Sequence, residues 1–251
     1  MGSRAAEASV VKGGGFQTET LPGAVLRPAP GPIDTWAMTT IDPRPGDALL
    51  VVDPQRDFCP GGALAVADGD AIIPGINALA ERFPFVVLTQ DWHPPDHRSF
   101  ASNHPGGVPF ATVDMPYGPQ ILWPDHCVAG TAGAAFHPGI AAGVLTRAQL
   151  VLRKGCDPAI DSYSAFFEND RTTATGLGGY LRERGVRRCV LAGLAYDFCV
   201  AYSAVDAVRL GFEVVVVEEL TRAIAVPVAG GGTTADLAER SFREAGVTVI
   251  R

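Results

Sequence analysis

The sequence is short of the residues and motifs that most quickly narrow a function. Its 251 residues hold five cysteines, five histidines, three tryptophans and three methionines. The cysteines, at 59, 127, 156, 189 and 199, are odd in number and form no C-x-x-C pair. That pattern argues against a disulfide framework and for reduced thiols in the cytoplasm. No G-x-x-x-x-G-K, G-x-G-x-x-G or G-x-S-x-G occurs. A phosphate loop and a serine hydrolase elbow are therefore without support. Lysine and arginine number 20 against 27 acidic residues, a net charge of −7, and no basic patch stands out. Nucleic acid is not an expected partner. The longest apolar runs fall far short of a membrane span, and no charged start with an apolar stretch behind it marks a secretory signal.

What is present is ordinary in bulk and specific in detail. Hydrophobic residues make up 47% of the chain, enough for one substantial core. Residues 1–37, with "KGGG" and "LRPAPGPIDT", show no sustained periodicity and read as a cloning scar or a disordered leader. A single domain is expected over 38–251. There, β-type runs at 48–53, 85–90, 149–153, 188–193, 213–217 and 247–250 alternate with helical stretches near 70–82, 173–185, 200–210 and 234–245. Near-continuous valine and leucine runs suit strands buried on both faces of a parallel sheet. The alternation predicts an α/β fold, a three-layer sandwich. Residues 91–147 break the rhythm. They are rich in proline, glycine, histidine and aspartate, and so long a connection in a compact domain is more often functional than idle.

Ligands of an open parallel sheet bind beyond the carboxyl ends of its strands. Asp53 follows the first strand, Asp91 the second, Lys154 the third and the Cys199 loop the fourth. A carboxylate, a carboxylate with histidines, an ammonium and a thiol should meet on one rim. Cys199 opens a helix, where a thiolate is stabilised, and a nearby lysine would lower its pKa further. A buried carboxylate can take the thiol proton and later return it to a leaving group. Each residue also has a plainer role: Asp53 as a turn cap, Lys154 as a solvated charge, Cys199 as a small buried side chain.

The stretch "DWHPPDH" is a second constellation. Asp91 and His93 point the same way on extended backbone, His97 follows a Pro-Pro turn, and "WPDHC" supplies His126. Two histidines and a carboxylate suit Zn, Fe or Mn. The alternative is a polar loop whose histidines bond locally; His104 and His137 lie in proline- and glycine-rich loop sequence and carry no functional signal. Phe58, Trp92, Trp123 and Tyr163 lie near the rim, where a few aromatics can wall a small flat substrate.

Five stretches carry a resemblance: "ALLVVDPQRDFCPGGALAV" (48–66), "QDWHPPDHRSFASNHPG" (90–106), "LWPDHCVAGTAGAAFHP" (122–138), "RKGCDPAIDSYSAFFEND" (153–170) and "LAGLAYDFCVAYSAVDA" (191–207). Together they resemble the nicotinamidases, a branch of the isochorismatase-like cysteine hydrolases, in the right order across 46–250. "WPDHCV" and "DSYSAFF" favour that branch. The resemblance implies six parallel strands in order 3-2-1-4-5-6 and a triad of Asp53, Lys154 and Cys199. It implies a cis peptide between Leu194 and Ala195, turning the amides of Ala195 and Cys199 toward an oxyanion. It implies one divalent metal ion, zinc before iron or manganese, on Asp91, His93 and His126, with waters or His97 completing the shell. Phe58 and Trp123 should flank the ring of nicotinamide, with Tyr163 and Leu194 nearby. The reaction implied is hydrolysis of nicotinamide, and of pyrazinamide, through a cysteine thioester. A homo-oligomer is a possible assembly. The rival readings are another amidase or carbamoyl hydrolase of the superfamily, an isochorismatase, and a non-catalytic binding protein with a structural metal. Tyr196 stands where many relatives carry threonine, Phe198 precedes the nucleophile at a variable position, and residues 1–37 have no counterpart.

Overall fold

The computed structural model describes residues 41–251, all within one compact unit. The expectations for residues 1–37 lie outside the described residues. Strands β1 (Asp47–Val52), β2 (Val86–Asp91), β5 (Ala148–Lys154), β6 (Arg188–Leu194), β7 (Glu213–Arg222) and β8 (Thr248–Ile250) form one sheet in the order β5-β2-β1-β6-β7-β8. Every pairing in it is parallel. Numbered among themselves along the chain, these strands run 3-2-1-4-5-6, as expected.

All residues of β1 and β2 are buried, so both faces of the sheet centre are covered. Leu49, Leu50, Val51 and Val52 supply the continuous apolar run this requires. Helices α1 (Ile73–Arg82) and α2 (Ala142–Arg147) pack together, as do α4 (Ala201–Arg209) and α5 (Thr234–Ala245); α3 is Leu177–Glu183. The buried stripe of α4 is Ala201, Ser203, Ala204, Asp206 and Ala207, small enough to bring the helix close to the sheet. Helix α5 begins with a capping box, Asp236 Oδ2 accepting the Thr233 amide at 2.7 Å. It ends at Gly246 in the left-handed region, φ +78°. Between β1 and β6 the backbones meet at Gly193. A Cβ there would lie 2.0 Å from the Val52 carbonyl oxygen, so only glycine fits.

Three expectations need correction. Strand β5 is an edge strand, and alternate residues face solvent, Val151 among them at 43% exposure. Its apolar run is not buried on both sides, because nothing pairs beyond it. The break from 91 to 147 contains an antiparallel hairpin, β3 (Thr112–Met115) with β4 (Gly118–Ile121), and the short helix α2. Finally, β7 runs five residues past the expected end, to Arg222. Its pairing with β6 jumps from Leu191↔Val216 to Gly193↔Thr221, a bulge that carries the chain over the end of β6.

Candidate active site

The carboxyl ends of β1, β2, β5 and β6 converge. Asp53 leaves β1 at φ +44°, a left-handed conformation that aspartate tolerates better than most residues. Thr89 of β2 fixes it: the hydroxyl donates to Asp53 Oδ1 at 2.6 Å and accepts the Asp53 amide at 3.1 Å. Lys154, at the end of β5, is 1% exposed. Its Nζ lies 2.9 Å from Asp53 Oδ2, in an ion-pair contact not aligned as a hydrogen bond. The same ammonium donates to Asp91 Oδ1, to the Ser162 carbonyl at 2.9 Å and toward Cys199 Sγ at 3.4 Å. The Asp53, Asp91 and Cys199 donor atoms lie within 4.8 Å of one another. Strand and helix join through the cis peptide Leu194–Ala195 and a π-turn, Tyr196–Val200. Cys199 therefore lies within this π-turn, two residues before Ala201, where α4 begins.

Burial sets the protonation states. It pushes the Asp53 carboxyl up to about 6, against the pull of Lys154. It also raises the Cys199 thiol well above the ordinary range, against the pull of Lys154 and with a further push from Asp53 and Asp91. The direction suits a neutral thiol beside a carboxylate that can accept its proton. Burial acts to discharge Lys154, but Asp53 and then Asp91 hold its pKa well above the usual value. Asp91 is held below the carboxylate range by Lys154 and His93 in spite of its own burial.

The second constellation also assembles. Asp91, His93 and His126 place three donor atoms within 4.8 Å of one another, all buried. Nδ1 of His93 bonds the Gly155 carbonyl at 2.9 Å, and Nδ1 of His126 bonds the Pro124 carbonyl at 2.8 Å. Both rings thereby keep their proton on Nδ1 and leave the Nε2 lone pair for a metal, the usual arrangement around a bound cation. The donor set and its outer bonds fit a divalent metal. Gly155 is required here: a Cβ would come within 2.3 Å of the His93 ring. His97 is arranged differently. Its Nδ1 accepts the Ser99 amide at 3.2 Å and lies 2.7 Å from the Ser99 hydroxyl, and burial lowers the ring's pKa, an arrangement that leaves the proton on Nε2 and blocks ligation there. That Nε2 is buried without a well-aligned partner, although the Ile160 backbone acts on the ring as a hydrogen-bond acceptor. Its expected place in the metal shell is the weakest of the four for this reason.

Between the two groups lies a cavity of about 320 Å³, part of it open to solvent. Phe58, Trp123, Tyr163, Ala195 and Cys199 line it, as do Asp91, His93 and His126. Trp123 Nε1 donates to the Tyr163 hydroxyl at 3.1 Å. Leu194 is a correction: it does not line the cavity, and its side chain points at Gly69, behind the strand. Tyr196 likewise turns away, its ring edge-on to Phe242 of α5 at 5.4 Å. Trp92 lies under the Arg153 guanidinium, 3.8 Å from ring centre to carbon, outside the cavity lining. His104 and His137 bond locally and stay out of the cavity lining.

Sequence reasoning missed several residues. Phe198 stands edge-on to Trp123 at 4.9 Å and joins the wall, with Leu64 and Ile224. Asp197 holds the roof: its carboxylate accepts the amides of Ile224 and Ala225 at 2.9 and 2.8 Å, and the Thr234 hydroxyl. Gln55 bridges β1 to β2 by bonding both the amide and the carbonyl of Asp91 at 2.8 Å. Asp161, which sits in the quoted "DSYSAFF", lines the cavity beside the histidines.

Known proteins are similar to this chain in sequence and fold. A nicotinamidase from Acinetobacter baylyi is 55% identical over 177 residues, 70% of this chain and 81% of its own length. The solved nicotinamidase and pyrazinamidase of Acinetobacter baumanii is 50% identical, with a TM-score of 0.78 over 83% of this chain and 97% of that one. A pyrazinamidase from Pyrococcus horikoshii, solved in complex with zinc, is 32% identical with a TM-score of 0.64, over 82% of this chain and 99% of that one. The isochorismatase domain matches residues 47–250, and the chain belongs to that family.

Proposed function

We propose that this protein hydrolyses nicotinamide to nicotinate and ammonia, and pyrazinamide to the corresponding acid, through a thioester on Cys199. The observation that carries the reading is the meeting of a thiol, a carboxylate with its pKa raised to about 6 and an ammonium at one wall of an aromatic-lined cavity, opposite a metal-binding donor set. The high similarity to nicotinamidases supports it.

Asp53 accepts the Cys199 proton as sulfur attacks the carboxamide carbon. Lys154 keeps Asp53 ionised until then and faces the sulfur as charge develops. The amides of Ala195 and Cys199 are the donors assigned to the tetrahedral oxyanion. Asp53 gives its proton to the departing nitrogen, which leaves as ammonia. A water molecule, losing a proton to Asp53, adds to the thioester carbon; the C–S bond breaks, and the proton returns to sulfur. Phe58, Trp123 and Tyr163 hold the ring flat and exclude water from it. A divalent cation on Asp91, His93 and His126, zinc before iron or manganese, supplies a Lewis acid for the ring nitrogen and so aims the carboxamide at Cys199.

The free cysteines fit a reducing cytoplasm. Among the described residues no helix is long and apolar enough to cross a membrane. The test is ammonia release from nicotinamide by reduced, metal-replete protein, before and after chelation with metal added back. Release that is lost and then restored is expected. No release from metal-replete protein would sink the reading.

A further inference from the structure

A carboxylate outside the cavity ties together three of the segments that wall it. Asp57 lies in the short helix Arg56–Phe58 and is not among the residues that line the cavity. Its polar groups are all spent on backbone from elsewhere in the chain. The amide donates to the Gly133 carbonyl at 3.1 Å, and the carbonyl accepts the Leu64 amide at 3.0 Å. Of the carboxylate oxygens, Oδ1 accepts the Ala63 amide at 3.2 Å and Oδ2 the Cys127 amide at 2.7 Å. Phe58, Leu64 and His126 sit directly beside Asp57, Ala63 and Cys127, and all three line the cavity.

The bond to Cys127 is the most informative. Cys127 has φ +46°, in the left-handed region that residues with a Cβ seldom adopt. It is held there from both sides: Asp57 takes its amide, and its carbonyl accepts the His93 amide at 3.1 Å. One residue thereby sets His126 against His93, whose ring centres are 5.0 Å apart. Phe58, carried by Asp57 itself, has its ring centre 5.6 Å from that of His126. Gly133 supplies an independent sign that the carboxylate needs this place. A Cβ there would come within 2.1 Å of Asp57 Oδ2, and Gly133 is not at positive φ, so its missing side chain makes room for the carboxylate and does not serve a turn.

We propose that Asp57 is a positioning residue for the amide hydrolysis: its carboxylate staples the Phe58 wall to the His126 loop, and so holds the ring slot and the metal donors in one fixed relation. This rests on the function proposed above. Both oxygens accept an N–H, so an asparagine would offer one acceptor and turn its own amide hydrogens toward the other donor.

The experiment measures nicotinamide kinetics at saturating Zn²⁺, Zn²⁺ affinity against a chromophoric chelator, and thermal melts. Asp57→Asn removes one acceptor. Gly133→Ala keeps the carboxylate and the net charge but pushes the staple off the Cys127 amide. Asp114→Asn, at an exposed position of β3, controls for charge and should match the wild type. In Asp57→Asn and Gly133→Ala, KM is expected to rise about tenfold with kcat within about threefold of the wild type. Zn²⁺ affinity should fall about tenfold in both. A carboxylate that only stabilised the fold would lower the melting temperature and leave KM and Zn²⁺ affinity unchanged, and that result overturns the proposal. So does a fall in kcat at unchanged KM. Should Asp57→Asn fail to fold, a Gly133→Ala protein with wild-type KM and Zn²⁺ affinity overturns it alone. A wild type that releases no ammonia counts against the proposed function itself, a distinct result because it needs no variant.

Discussion

Two halves of the cavity are built on different principles. The hydrolytic half stands on the sheet: Asp53, Lys154 and the turn before Cys199 each follow a parallel strand, and backbone ladders fix their spacing. The metal and aromatic half takes Asp91 from the end of β2 and otherwise stands on chain outside the main sheet, from 92 to 137 and 155 to 169. Its side chains are held one by one, His93 by the Gly155 carbonyl, His126 by the Pro124 carbonyl, and Tyr163 by Trp123 and Gln120. The first half is rigid by inheritance from the core; the second depends on many single contacts. Perturbations should therefore separate chemistry from ring placement.

The largest separation is expected from Cys199→Ala. Ammonia release should fall by about 10⁴-fold or more, while calorimetry still detects nicotinamide binding to the metal-loaded variant. Gly155→Ala attacks the other half. The added Cβ meets the His93 ring, and Zn²⁺ affinity should drop about 10- to 100-fold. Alkylation of Cys199 by iodoacetamide should stay close to the wild-type rate; a matching loss there would show that the halves are not separable. The pH profile tests the base of the hydrolytic half. Asp53 must be ionised to take the thiol proton, and its pKa is raised to about 6. As pH falls through that value Asp53 becomes protonated, so kcat/KM should decline about tenfold per unit below it. A flat profile down to pH 5 would exclude Asp53 as the base. Asp197→Asn should have the smallest effect. It replaces an acceptor of three hydrogen bonds under Ile224 and Ala225, and KM should rise a few-fold with kcat little changed.

The same division governs how much could be read from the sequence. Buried parallel strands announce themselves through runs such as "ALLVV", and strand order placed Asp53, Asp91, Lys154 and Cys199 on one rim. The hairpin β3–β4 was missed because only Met115 and Gln120 in it are buried, so no apolar alternation marks it. Strand β5 does alternate, but the feature that decides its exposure is the missing neighbour, a property of the sheet and not of the segment. Leu194 illustrates a further limit. Proximity to the nucleophile along the chain does not say which face of the turn a side chain takes. Ile224 reaches the cavity only because β7 bulges past β6, which no local signal records.

Lys154 faces four acceptors, Asp53, Asp91, the Ser162 carbonyl and Cys199, with three hydrogens to give. In the resting protein the neutral thiol is the poorest of the four. Once sulfur becomes anionic it competes on equal terms, and a small rotation of the ammonium answers it without any rearrangement of solvent. The lysine thus behaves as a fixed, pre-paid solvent molecule whose best interaction is withheld until the barrier is being crossed. Stabilisation of that kind accelerates the chemical step without tightening the ground state.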